Sequence, residues 1–73
     1  MDTKEPSNLG DALPWQIERV GKIRDEYLQL PNNAGAFAAH LMQIDINTAI
    51  QASIRGDVVF MLQCYEKLKE YEL

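Results

Sequence analysis

The sequence predicts an all-α fold, three helices in an antiparallel arrangement over residues 14–29, 34–55 and 58–71, assembled as a dimer. Three observations predict it. Residues 33–55, NAGAFAAHLMQIDINTAIQASIR, keep a helical period but are apolar nearly all round, the mark of an interior helix. Short breaks at LPNN and RGD bound that stretch and leave one periodic segment on either side. A chain of 73 residues is also too short to wrap such a helix, because domains this small bury only about 60% of their unfolded surface.

Residues 1–12, polar and without a period, read as a flexible N-terminal tail, and residues 13–73 as a single helical domain. Asp11 or Leu13 is expected to cap the first helix, with Pro14 in its first turn, where a missing N–H costs nothing. Ile17, Val20, Ile23, Tyr27, Leu28 and Leu30 share one half of that helix. Glu18, Lys22, Asp25, Glu26 and Gln29 occupy the other. Gly21 sits at the border, where it weakens the helix and allows a close backbone approach.

The residue before a proline avoids the α region, so Leu30-Pro31 ends the first helix. Asn32 or Asn33 is expected to cap the second. Phe37, Leu41, Ile44 and Thr48 recur at helical spacing with Ala38, Ala49 and Ala52 beside them, and are the expected core face. Met42, Ile46, Ile50 and Ile54 extend the apolar surface round the far side. They are the expected dimer interface, since a homodimer joins one apolar patch to its own copy.

Gly56 suits a left-handed helix end and Asp57 the cap of the third helix. This punctuation explains Arg55-Gly56-Asp57 better than a cell-adhesion tripeptide does. Phe60, Met61, Cys64, Tyr65, Leu68 and Tyr71 then form the inner face of the third helix, which Val59 and Leu62 widen. The helix–Gly–helix rhythm is shared with tetratricopeptide arrays, but the chain has room for little more than one such unit, and three are normally needed.

Two charges fall on apolar faces, Arg24 on the first helix and Asp45 on the second. Burial of either alone costs several kcal/mol. The turn brings them within about one helical turn of each other, so an Arg24–Asp45 ion pair is expected, within a subunit or across the dimer. The competing reading has Arg24 extending along the helix edge to water and Asp45 at a solvated rim.

His40, Gln43, Asn47 and Gln51 form a polar stripe, read first as the solvent face of the second helix and second as an uncharged recognition surface. Trp15 serves equally well as a binding anchor or as a cover over the end of the core. These five residues are the candidate partner-binding surface.

Composition excludes several classes. One cysteine and one histidine preclude an internal disulfide and a four-ligand zinc site, and no cofactor is expected. A net charge of −4 argues against nucleic acid, which recruits basic surfaces. No apolar run approaches the roughly 20 residues of a membrane span. The first residues lack the basic and apolar blocks of a signal peptide, so a cytoplasmic protein with a reduced Cys64 is expected. No catalytic triad or Gly-rich phosphate loop is visible, and the core leaves scant room for a pocket of a few hundred Å³; an enzyme is not expected.

The segments LPNNAGAFAAHLM and GDVVFMLQCYEKLKEYE resemble small uncharacterised early-region proteins of Mu-like transposable phages, over residues 23–72. No catalytic motif is shared. The resemblance implies an inhibitor or modulator of host machinery that works by occupying a surface, and it assigns no residue a role.

The expected function is therefore a non-enzymatic α-helical interaction module, a homodimer that modulates another protein. The alternative is a helix-turn-helix transcriptional regulator. Its recognition helix would open on Asp57, Val58, Val59 and Phe60, a poor set for a DNA groove.

Overall fold

The computed structural model describes residues 4–73. Three helices follow in order: α1 (Leu9–Leu28), α2 (Ala36–Arg55) and α3 (Val58–Lys69). Each packs on the other two, and no strand occurs among the described residues.

α1 begins earlier than expected. The Asn8 side chain accepts from the Asp11 backbone N–H at 2.9 Å, satisfying one of the free donors of a helix start. Pro14 consequently lies inside the helix. Of the tail expected at 1–12, residues 9–12 are helical, with Ala12 buried, and residues 1–3 lie outside the described residues. Glu5 is held as well. Its carboxylate accepts from Gln16 Nε2 at 2.8 Å and is hydrogen-bonded to Tyr65, whose pKa is raised chiefly by that bond.

A single 3-10 turn over Pro31–Asn33 joins α1 to α2. Asn32 (φ 58°) and Asn33 (φ 57°) both take the left-handed conformation, which asparagine tolerates better than most residues. The expectation that one of them caps α2 is corrected: Gly35 takes the cap position, without a side-chain hydrogen bond. Gly35 is required by proximity, since a Cβ there would lie 2.2 Å from the Tyr27 carbonyl oxygen.

The second junction agrees with the sequence reading. Gly56 is left-handed (φ 70°), and its N–H closes the end of α2 on Ala52 and Ser53. Asp57 caps α3 by accepting from the Phe60 N–H at 3.2 Å. The far end of α3 is closed by Arg19 of α1, whose Nη2 donates to the Leu68 carbonyl at 3.0 Å. An arginine there complements the negative helix end.

The core joins Leu13, Val20 and Ile23 of α1 to Met42, Ile46, Ala49 and Ala52 of α2 and Cys64 and Leu68 of α3. The α3 face is the one expected. The α2 face is only partly the one expected: Ala49 and Ala52 are buried, but the large residues expected beside them are not. Met42 (2% exposed) and Ile46 (4%) are buried within the subunit, so they cannot supply an intermolecular patch, whereas Phe37, Leu41 and Ile44 are exposed. The physical reason is the small size of Ala39, Ala49 and Ala52, all buried. Small side chains let two helices approach α2 closely, and Met42 and Ile46 share that side. Leu28 and Leu30, expected inside, are exposed at the end of α1.

Candidate interaction surface

Phe37, Leu41, Ile44 and Thr48 stand at i, i+4, i+7 and i+11, and so form one stripe along α2. Phe37 is 74% exposed, Leu41 and Ile44 are exposed, and Thr48 is half-buried. On α3, Val58, Val59 and Leu62 are exposed too. Between the two helices runs a groove of about 320 Å³, lined by Ile44, Thr48, Phe60, Gln63, Cys64 and Lys67, with Asp45 at its side. The sequence expectation of scant room for such a volume is thereby corrected.

Asp45 is the polar anchor of this groove. Its side chain is only 12% exposed. One carboxylate oxygen accepts from the Tyr71 hydroxyl at 2.6 Å, and the other lies 3.7 Å from Lys67 Nζ. Burial, and then the bond and charge of Asp45, push the Tyr71 phenol up to about 12. The Cys64 thiol is pushed up by burial first and by Asp45 second, against a smaller lowering by Lys67. The thiol therefore stays protonated at neutral pH, and a protonated thiol is a weak nucleophile.

The expected Arg24–Asp45 ion pair does not form. Arg24 donates through Nε and Nη2 to the adjacent Asp25, at 3.0 and 2.9 Å, and through Nη1 to Gln43 at 2.6 Å. Asp45 lies two residues beyond Gln43, about 160° round α2, and turns to α3 instead of α1. Asp45 does take partners, but they are Lys67 of α3 and the Tyr71 phenol just beyond it.

Gln43 continues the polar chain by donating to Asn47 at 2.9 Å. His40, Asn47 and Gln51 are exposed and Gln43 is half-buried, so the polar stripe lies on the open side of α2, beside the apolar one. Trp15, half-buried, belongs to a different element, α1. Of the expected dimer residues, Ile50 and Ile54 (73%) stay exposed, and Met42 and Ile46 do not.

Sequence reasoning passed over Phe37, Leu41 and Ile44 as surface residues, having placed them inside. The available signal was the small size of Ala39, Ala49 and Ala52, which flank the arc that holds Met42 and Ile46. Among the described residues no group of three or more His, Cys, Asp or Glu side chains could hold a metal ion. Nor is any described helix long and apolar enough to cross a membrane. No family model, curated protein or solved structure matches the chain.

Proposed function

We propose that this chain is a small non-enzymatic helical interaction module that modulates a partner protein by occupying its surface. The observation that carries the reading is the exposed α2 stripe of Phe37, Leu41 and Ile44; α3 carries a second exposed apolar set, Val59 and Leu62. Single exposed apolar residues are ordinary, but three large ones sharing one face of a helix mark a contact surface. Cys64, protonated at the groove floor, fits a surface for contact better than one for covalent chemistry. The likeness to phage accessory proteins makes host proteins the first partners to test. The helix-turn-helix alternative has weaker support, since the first two turns of α3 carry no cation and present Val58, Val59 and Leu62 to solvent.

The test is affinity capture with the wild-type chain beside Ile44→Asp and Leu62→Asp. Both positions are exposed, so both variants should keep the helical circular dichroism of the wild type. The reading expects at least one protein retained by the wild type and lost by one of the variants. An identical retained set for all three chains contradicts it.

A further inference from the structure

The α2 stripe has a symmetry of its own. Leu41 and Ile44 lie equally far on either side of the midpoint between Met42 and Gln43, and so do Phe37 and Thr48. A two-fold axis through that midpoint, perpendicular to α2, sets the helix antiparallel to its copy. It places Leu41 against Ile44, and the large Phe37 against the small Thr48. We propose that the occupant of this stripe is a second copy of the chain, paired antiparallel through α2 in this register, with Phe37 of each copy seated at Thr48 beside the α2–α3 groove of the other. The proposal deepens the reading of the stripe as an interaction surface and rests on it.

Such a pairing is isologous, as a two-fold interface requires. The charge distribution favours a second copy over a foreign helix. The chain carries −4 overall, yet neither the stripe nor its open flank of His40, Gln43, Asn47 and Gln51 contains an Asp, Glu, Lys or Arg. On that flank a basic partner would find no carboxylate and a second acidic copy no like charge; on the other flank Asp45 is paired with Lys67 of its own chain. In the proposed register His40 falls close to Asn47 of the other copy, so polar groups meet at the rim.

Area sets the strength. The exposed parts of Phe37, Leu41 and Ile44 supply on the order of 300 Å² of apolar surface per copy. For a homodimer interface about 65% apolar, that gives roughly 900 Å² in all. This is below the 1,200 Å² or so of standard interfaces and corresponds to a weak, reversible dimer.

The register is tested by cross-linking at paired single cysteines in a Cys64→Ala background. Phe37→Cys and Thr48→Cys chains are mixed with a bismaleimide of about 8 Å, close to the spacing of packed helix axes. The mixed product is expected in about tenfold excess over either self-linked product. Two Phe37 positions would lie about 16 Å apart along the axis, out of the linker's reach. A dominant self-linked Phe37→Cys product, as parallel pairing would give, overturns the proposal, and so does the absence of any preferred product. Should Cys64→Ala disturb the fold, sedimentation of Leu41→Asp with Cys64 intact serves instead: a wild-type chain that associates and a variant that does not is the supporting result. A chain monomeric at about 1 mM that still captures a target through Ile44 overturns self-pairing and leaves the wider reading standing. A correctly cross-linked chain that retains no other protein counts against the wider reading alone.

Discussion

The hydroxyl of Tyr71 donates a 2.6 Å hydrogen bond to Asp45 Oδ2, tying the residues after α3 to the middle of α2. It joins positions 26 residues apart and gives a largely buried carboxylate a donor. A bond to a charged group of this kind is worth more than an ordinary one. Because Tyr71 is only half-buried, Tyr71→Phe should cost about 1–2 kcal/mol in chemical denaturation.

The same bond sets an alkaline limit. The phenol pKa is about 10 in an unfolded chain and is pushed up to about 12 here. The folded state therefore holds this proton more tightly, and the contribution is complete below pH 10. It is lost as pH rises towards 12. Wild-type stability should fall across that window more steeply than that of Tyr71→Phe, as followed by urea midpoints. Parallel curves would show that the phenol is not coupled to folding.

Pairwise coupling separates the observed partner of Asp45 from the one the sequence suggested. A double-mutant cycle of Tyr71→Phe with Asp45→Ala should give an interaction energy of about 1 kcal/mol. The cycle of Arg24→Ala with Asp45→Ala should give less than about 0.3 kcal/mol, since Arg24 bonds to Asp25 and Gln43.

The orientation of α2 makes a sharper contrast. Ile46→Ala, which opens a cavity beside Ala49 and Met42 in the core, should cost about 2–4 kcal/mol. Ile44→Ala, two residues earlier and exposed, should stay within about 1 kcal/mol of wild type. Equal losses would mean that both faces are covered in the folded subunit.

Two glycines should respond with opposite signs. Gly35→Ala drives a methyl group into the Tyr27 carbonyl, and neither atom can swing away, so a loss of about 2–3 kcal/mol is expected. At Gly21 a Cβ meets only the guanidinium of Arg24, at 3.7 Å, an ordinary contact with a flexible side chain. Gly21→Ala should therefore stabilise α1 by up to about 1 kcal/mol. The close approach expected at Gly21 is found at Gly35 instead.

What the sequence disclosed follows a physical line. Helix ends rest on local chemistry, and Gly56 with Asp57 could be read directly because a left-handed end and a side-chain cap are each written in one residue. The Asn8 cap was missed because Pro14 offered a competing start. The facing of α2 was not legible from its period, since a helix apolar on most sides has no unique inner stripe. Its facing was decided by which side lets neighbours come close, a property of Ala39, Ala49 and Ala52 taken together with α1 and α3. The excess of apolar surface on α2 was legible. Its position was not, and Phe37, Leu41 and Ile44 exchanged places with Met42 and Ile46.

Sedimentation velocity of the wild type and of Leu41→Asp, from about 10 µM to about 1 mM, tests most directly whether the exposed α2 stripe pairs with its own copy. We expect the wild-type mass to rise with concentration from one chain towards two, while the variant remains at one chain with unchanged helical content. A wild-type mass fixed at one chain throughout, or a variant that associates as the wild type does, would contradict it.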